Sequence, residues 1–320
     1  MKDEFDIVFS DIDNYQSFEA DVVVTQRVVL KTLKRAERLV SFCERKGARL
    51  IYDLDDDLLS LAADHSEHAY YQQLRPMVMF LLQQADEVWV STAALAARLA
   101  PISDRITVIQ NHLDPRIWRA RQPVAAPGPI RLLFMGTMTH QSDFGTLLRP
   151  ALDQVRARTD REISLTLVGV LPCDAVREGW RAIKPPDQIS LSYPAFAHWL
   201  QQQGPFDIGL APLTESVFNG SKSWLKFLEY SGLGLATLAS SVGEYPQAIV
   251  DGVNGRIAAP SVEAFGEALY SLVSDEAFRL ELAGNAARSV ADSLAVATHC
   301  EPRLDRLRDS RFRGLAVAAQ

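Results

Sequence analysis

The sequence predicts an α/β fold in two halves, each built around a parallel sheet. Strand-like apolar runs alternate with helix-like runs, once up to about residue 109 and again from Ile130. Between the two series, Arg121-Gln-Pro-Val-Ala-Ala-Pro-Gly-Pro129 is rich in Pro and Gly and reads as a linker. The 320 residues suffice for two α/β domains of ordinary size.

In the first half, Phe5–Ser10 and Ala20–Val24 read as buried strands. Gln26–Lys46 has helical periodicity and stops at Gly47. Ala48–Tyr52 is a strand that runs into the acidic stretch Asp53-Leu-Asp-Asp-Asp57. A helix near Ala69–Gln84, the strand Glu87–Ser91, the helix Thr92–Leu99 and the short strand Ile106–Ile109 follow.

In the second half, Arg131–Met135 is a strand ending at Gly136, and Phe144–Arg158 is helical. Ser164–Val168 is a strand ending at Gly169, Ile189–Ser192 a short strand, and His198–Gln203 a helix. The strand Asp207–Ala211 leads into a short helix rich in Lys and Glu. Leu235–Ala239 is the next strand, and Gly243–Val250 opens a helix. Val262–Ser274 and Glu276–Ala291 close the series as helices. Such alternation implies Rossmann-like halves, in which ligands sit beyond the carboxyl ends of the strands. In the second half those ends are Gly136, Gly169, Pro212 and Ser240.

Composition excludes several functional classes. Nearly half the residues are apolar and 23% are charged, as in a globular protein. A net charge of −7 argues against a protein that coats nucleic acid. The three cysteines, Cys43, Cys173 and Cys300, are widely spaced and odd in number, which supports neither a disulfide framework nor a zinc site. The acidic start MKDEFDIVFSDIDN does not read as a signal peptide, and no apolar run is long enough to span a bilayer. The expected compartment is the cytoplasm.

The most informative segment is Asn219-Gly-Ser-Lys-Ser-Trp-Leu-Lys-Phe-Leu-Glu-Tyr-Ser-Gly232. It reads as a loop through Gly220 and then a helix carrying Lys222, Lys226 and Glu229. On such a helix the three side chains fall within roughly 60° of one another. Two ammonium groups and a carboxylate near a helix start suit a ligand with phosphates and hydroxyls, such as a nucleotide sugar. The plainer alternative is a solvated face with an i to i+3 Lys–Glu pair.

From Phe206 to Pro260 the order of features resembles the donor domain of a GT-B glycosyltransferase close to family 4. The features are Pro212-Leu213, Leu228-Glu229, Gly232 and Gly234, Ala239-Ser240, Gly243-Glu244, Asp251-Gly-Val-Asn-Gly255 and Pro260. Asn111-His-Leu-Asp114 with Trp118, and the strand before Gly136, are similar to further family segments. The run Tyr52–Leu59 resembles a subgroup from polysaccharide and O-antigen biosynthesis. The resemblance covers about residues 49–290 and implies a GT-B fold of two Rossmann-like domains. A reduced acceptor-side domain would occupy 1–120, a linker 121–129, the nucleotide-sugar donor domain 130–295, and a C-terminal helix or tail 296–320.

The implied activity is transfer of a sugar from a nucleoside diphosphate sugar to a glycan or lipid-linked acceptor, retaining and independent of metal or other cofactor. The donor would lie against Gly136, Thr137 and His140, against Asn219, Gly220, Ser221 and Glu229, and against Ser240, Gly243 and Glu244. Gly136 would let the backbone approach the donor, or it is a plain turn glycine. Lys222 and Lys226, with the amides around Gly220–Lys222, would stabilise the departing pyrophosphate. Glu229 would take the ribose diol, or pair with Lys226. Many relatives carry a second glutamate where this chain has Ser221. Many also carry an Arg and a Lys in the loop that here reads Thr137-Met-Thr-His-Gln-Ser-Asp143.

Asp-x-Asp binds a divalent cation in a different glycosyltransferase fold, so Asp53–Asp57 is not read as a metal site. Asp53 is expected to face the acceptor and orient or deprotonate its hydroxyl, while Asp55–Asp57 cap a helix. His65 and His68 have the spacing of a metal pair, but a solvated loop is the simpler reading. Arg27, Lys31, Lys34, Arg35 and Arg38, and the tail arginines 303, 306, 308, 311 and 313, suit either a solvated face or peripheral contact with the cytoplasmic face of a membrane. A partner domain or a homo-oligomer is compatible with the short first half. The alternative function is a non-catalytic glycosyltransferase-like module, or a domain of a larger glycan-assembly protein.

Overall fold

The computed structural model describes residues 4–11, 13–118, 121–123, 125, 127–169, 180–190, 192–295 and 300–309. The chain divides into two compact units. The first takes in residues up to Gln110, apart from 65–67, and returns for the segment from Cys300 on. The second holds 65–67 and 111–299, so the division falls ahead of the Pro- and Gly-rich segment at 121–129. Cys173, Arg311 and Arg313 lie outside the described residues.

The first unit is a four-stranded parallel sheet in chain order, β1 (Val22–Gln26), β2 (Arg49–Leu54), β3 (Glu87–Val90) and β4 (Ile106–Val108). The register pairs Gln26 with Asp53 and Asp53 with Trp89. Helix α1 (Leu33–Lys46) starts where Thr32 accepts from the Arg35 amide at 3.3 Å, and it stops at Gly47, φ 65°. Its apolar stripe buries Ala36, Leu39, Val40, Phe42 and Cys43. Burial pushes the Cys43 thiol up to about 12, as expected of a structural cysteine. Helices α2 (His68–Gln84) and α3 (Ala93–Leu99) complete the layers, with Thr92 capping α3.

Several expectations for this half are corrected. Phe5–Ser10 is not a strand, and its side chains are mostly exposed, Phe9 at 95%. An apolar alternation forms a strand only where a partner strand and a covering layer exist. The expected helix from Gln26 begins seven residues later, because Arg27 (φ 46°) and Lys31 (φ 61°) are left-handed and break the turn. No helix follows Asp55–Asp57. Asp55 and Asp56 instead accept from Arg27 at 2.6 and 3.0 Å, and Asp57 from Arg98 at 3.4 Å.

The second unit holds a six-stranded parallel sheet. In chain order its strands are β5 (Ile130–Met135), β6 (Ile163–Val168), β7 (Arg181–Ile183), β8 (Ile208–Ala211), β9 (Ala236–Ser240) and β10 (Arg256–Ala258). Their spatial order is β10-β9-β8-β5-β6-β7. Strands β7 and β10 were not anticipated; three residues are too few for a periodic signal. The expected strand at Ile189–Ser192 is instead a short helix, α6 (Asp187–Ser190), with Leu191 outside the described residues.

One face of this sheet packs Leu132, Phe134, Leu165, Leu167, Leu210 and Leu238 against helices α5 (Arg149–Arg156) and α11 (Val262–Ser274). The other packs Leu133, Met135, Ala211 and Ala239 against α9 (Leu225–Gly232) and α12 (Glu276–Ser293). The segment before α5 runs as a three-residue helix, α4 (Gln141–Asp143), and then a π turn, Phe144–Leu148.

Tyr230 of α9 crosses the sheet. Its hydroxyl donates to the Leu210 carbonyl at 2.9 Å and accepts from the Met135 amide at 3.3 Å. That crossing requires a glycine beneath the ring, since a Cβ on Gly209 would lie 2.3 Å from Tyr230 Cγ.

Candidate functional site

Strand order places the site. The chain leaves β5 to one side for β6 and β7, then returns to the other side for β8. The carboxyl ends of β5 and β8 therefore flank a switch point, where an open parallel sheet forms a crevice. The segments 136–143 and 212–222 emerge there.

After β5 the backbone turns at Gly136, whose amide donates to the Val168 carbonyl at 3.0 Å. The sequence offers two readings of this glycine, a close approach to the donor or a plain turn; in the structure the imidazole of His140 packs against it, and a Cβ on residue 136 would meet His140 Cδ2 at 2.7 Å. Thr137 and Thr139 share a hydrogen bond between hydroxyls at 2.8 Å. His140 Nδ1 meets Asp143 Oδ2 at 3.2 Å. Burial, and then the charges of Lys222 and Lys226, push the His140 imidazole below its usual titration range, with Asp143 opposing.

Asp143 is 1% exposed. Its Oδ1 accepts from the Thr214 amide at 2.9 Å, the Thr214 hydroxyl at 2.8 Å and Asn219 Nδ2 at 2.9 Å. One carboxylate thus joins the loop after β5 to the loop after β8. Asp143 and Thr214 are not among the residues that the sequence singles out. The usable signal was an acid three residues after a histidine in a loop at a strand's carboxyl end.

The segment 217–229 corrects a central expectation. It is two helices, α8 (Val217–Gly220), capped by Ser216, and α9, with Lys222 in the turn between them. Lys222, Lys226 and Glu229 therefore do not form one helical stripe. The amides of Gly220, Ser221 and Lys222, expected to face phosphate, donate to the carbonyls of Ser216, Phe218 and Asn219. Four residues of α8 and its cap use those donors before a ligand can. Gly220 is exposed, and a Cβ there would meet nothing within 4 Å. Ser221 is buried, with its hydroxyl 3.5 Å from the Val217 carbonyl.

Lys222 still reaches the site, with Nζ 4.3 Å from the centroid of the Phe218 ring. Its backbone is held by the turn after β9. Gly243 (φ 66°) packs against it, and Glu244 donates its amide to the Lys222 carbonyl at 3.0 Å. Ser240 accepts from the Leu213 amide at 2.9 Å, tying the end of β9 to the turn after β8. The 240–244 segment is thus a support beneath the lysine loop.

On α9, Glu229 is 2% exposed and lies 3.4 Å from Lys226 through Oε2. The Lys–Glu pair weighed from sequence is therefore present. Oε1 accepts from the Tyr193 hydroxyl at 3.1 Å, and that hydroxyl accepts from Trp118 Nε1 at 3.1 Å. Tyr193 starts α7 (Tyr193–Gln201), and burial, with the Glu229 charge next, pushes its phenol far up. The Tyr193 partner of Glu229 is not legible in the sequence, because it lies 36 residues away.

Asp53 belongs to the first unit and is described within it. It is the penultimate residue of the inner strand β2, where Gln26 Nε2 donates to Oδ2 at 3.4 Å. Burial raises its carboxyl above the usual range, with Arg303 opposing. His65 and His68 fall in different units. His65 Nδ1 accepts from the Glu67 amide at 3.0 Å, and His68 Nδ1 lies 2.9 Å from the Leu61 carbonyl. Among the described tail arginines, Arg306 pairs with Glu87 at 3.5 Å, and Arg308 pairs with Glu301 and Asp305 and with Glu4. Among the described residues no helix is long and apolar enough to cross a membrane.

Residues 129–275 match the family model described as glycosyl transferases group 1. No curated protein matches the chain by sequence. Among solved structures, Anabaena HepE in complex with UDP and glucose is similar, with a TM-score of 0.63 and 15% identity over 92% of this chain and 79% of that one. Sucrose-phosphate synthase from Thermosynechococcus elongatus gives 0.61 and 14%, over 90% and 73%. WaaG, a glycosyltransferase involved in lipopolysaccharide biosynthesis, gives 0.59 and 14%, over 86% and 82%. At these identities the likeness is one of fold, the two Rossmann-like domains of the GT-B architecture.

Proposed function

We propose that the protein transfers a sugar from a nucleoside diphosphate sugar to a glycan or lipid-linked acceptor, from the premise that residues 129–275 match the family model described as glycosyl transferases group 1. UDP is the first nucleotide to consider, because the HepE structure carries UDP and glucose. The transfer is read as retaining and as independent of metal.

The observation that carries this reading is Glu229. A carboxylate that is 2% exposed needs partners, and it has two, the Tyr193 hydroxyl and Lys226. It is thereby held on α9 with acceptor capacity remaining for a vicinal diol such as that of ribose. Lys222 and Lys226 bring positive charge to the same region, where a departing diphosphate develops negative charge. Asp53, its carboxyl raised by burial, is kept as the candidate for the acceptor hydroxyl.

The test is thermal stability with UDP, GDP, CMP, dTDP and their sugar conjugates, with magnesium or with chelator. A ligand that binds only the native state raises its apparent stability. The expected result is a rise with one diphosphate, indifferent to chelator and absent in Glu229→Ala. No rise with any nucleotide overturns the proposal. A second reading is favoured by Ser221, which offers no carboxylate where many relatives have one. On that reading the chain binds the donor but turns none over, and a donor-turnover assay separates the two.

A further inference from the structure

We infer that His140 determines specificity for the transferred sugar, its Nε2 accepting a hydrogen bond from a sugar hydroxyl, and that Asp143 is the positioning residue that holds the ring for this. The inference rests on the donor-site reading above.

The ring is fixed on three sides. It lies against Gly136, where no Cβ fits. Its edge meets Phe134 with centroids 6.5 Å apart. Its Nδ1 is 3.2 Å from Asp143 Oδ2. Three donors already converge on the other oxygen of Asp143, an arrangement that suits an acceptor-only carboxylate. The Nδ1 of His140 therefore carries the proton, and Nε2 presents a lone pair. Among the described residues Nε2 has no hydrogen-bond partner, and the His140 side chain is 12% exposed.

The charges facing this ring are Asp143, Lys222 and Lys226. The two lysines oppose a second proton on the imidazole, and burial acts in the same direction. A neutral ring with a lone pair at Nε2 cannot donate to a diphosphate oxygen, and at neutral pH those oxygens bear no proton to offer it. A sugar hydroxyl can donate. The site thus divides its work, with the lysines for the diphosphate and His140 for the sugar.

The experiment is calorimetric titration of the full chain with UDP and UDP-glucose, and with GDP and GDP-mannose. Three variants are compared with wild type. His140→Phe keeps an aromatic ring, slightly larger than the imidazole, and removes the acceptor. His140→Gln restores an acceptor oxygen at about the same reach. Asp143→Asn turns an amide N–H toward Nδ1 and so reverses the tautomer. We expect wild type to bind one conjugate more tightly than its free diphosphate. His140→Phe should weaken that conjugate about tenfold and leave the diphosphate within about twofold. His140→Gln should recover part of the loss, and Asp143→Asn should repeat it. The conjugate's affinity in wild type should fall on acidification, and in His140→Phe it should not.

Equal weakening of diphosphate and conjugate would overturn the inference, because it marks a purely structural ring. An unchanged conjugate affinity in His140→Phe, or no gain from the sugar in wild type, would overturn it while leaving the donor site in place. Wild type that binds no diphosphate removes the donor reading itself.

Discussion

The Tyr193 hydroxyl donates to Oε1 of Glu229 at 3.1 Å, and this bond joins the start of α7 to the carboxylate on which the donor reading turns. Because Trp118 donates to the same phenol, the tyrosine is a relay between two otherwise separate segments. Tyr193→Phe leaves Glu229 one donor short and Trp118 Nε1 without its acceptor. Losing such a partner costs about 1–3 kcal/mol. We expect a UDP-sugar dissociation constant raised roughly fivefold and a somewhat lower urea midpoint. Unchanged donor affinity in calorimetry would show that Glu229 does not need the phenol.

Gly243 has φ 66°, and a Cβ there would sit 2.6 Å from the Lys222 carbonyl. Gly243→Ala therefore combines backbone strain with displacement of the lysine turn. Strain of this kind costs about 1–2 kcal/mol. Diphosphate affinity should fall more than stability does. A variant that loses stability but binds diphosphate normally would remove Lys222 from the phosphate role.

Gly209→Ala should be a pure stability lesion. Its Cβ would meet Tyr230 Cγ at 2.3 Å, and the tyrosine cannot retreat while its hydroxyl is held by Leu210 and Met135. Overpacking of this kind costs about 3 kcal/mol. Chemical denaturation measures it, and a loss below about 1 kcal/mol would mean the sheet yields more readily than its packing implies.

Two of the contributions to the pH dependence of stability, from His140 and Asp55, are opposed. His140 titrates below its usual value of 6.5 in the folded protein. Its contribution is present above 6.5 and is lost as pH falls through the lower folded value. Asp55 is raised from 3.8 to about 6 by burial, with Asp56 adding to it and Arg27 opposing. Its contribution is full below 3.8 and is lost as pH rises through about 6. Relative to wild type, Asp55→Asn should therefore gain stability between pH 5 and pH 8. His140→Phe should lose less than wild type on going from pH 7 to pH 5. Parallel pH profiles for wild type and variant would contradict either assignment.

The sequence revealed the two-unit α/β plan because alternating apolar runs report burial directly. Helix ends set by a single capping side chain, as at Val262–Ser274, were legible to the residue. Phe5–Ser10 misled because its apolar pattern says nothing about whether a partner strand exists. Lys222 misled because periodicity continued across a break that only backbone bonding and Gly243 impose. At the site, residue types after each strand end could be named, but not their partners. Asp143 meets Thr214 and Asn219 across more than seventy residues of sequence, and Glu229 meets Tyr193 across 36. Local spacing carries no record of such pairings.

The last described helix, α13 (Glu301–Arg308), belongs to the first unit. Its Arg306 carbonyl accepts from Arg49, its Arg306 guanidinium faces the buried Glu87, and Leu307 packs with Ile51 and Trp89. The first unit is therefore discontinuous along the chain. On the ribosome, residues up to Gln110 must wait for the segment from Cys300 on, while the second unit can close in between. In the nascent chain the buried Arg49–Glu87 pair lacks its Arg306 neighbour until that segment has been made. Completion of the first unit is thus a check that the whole second unit has already been made.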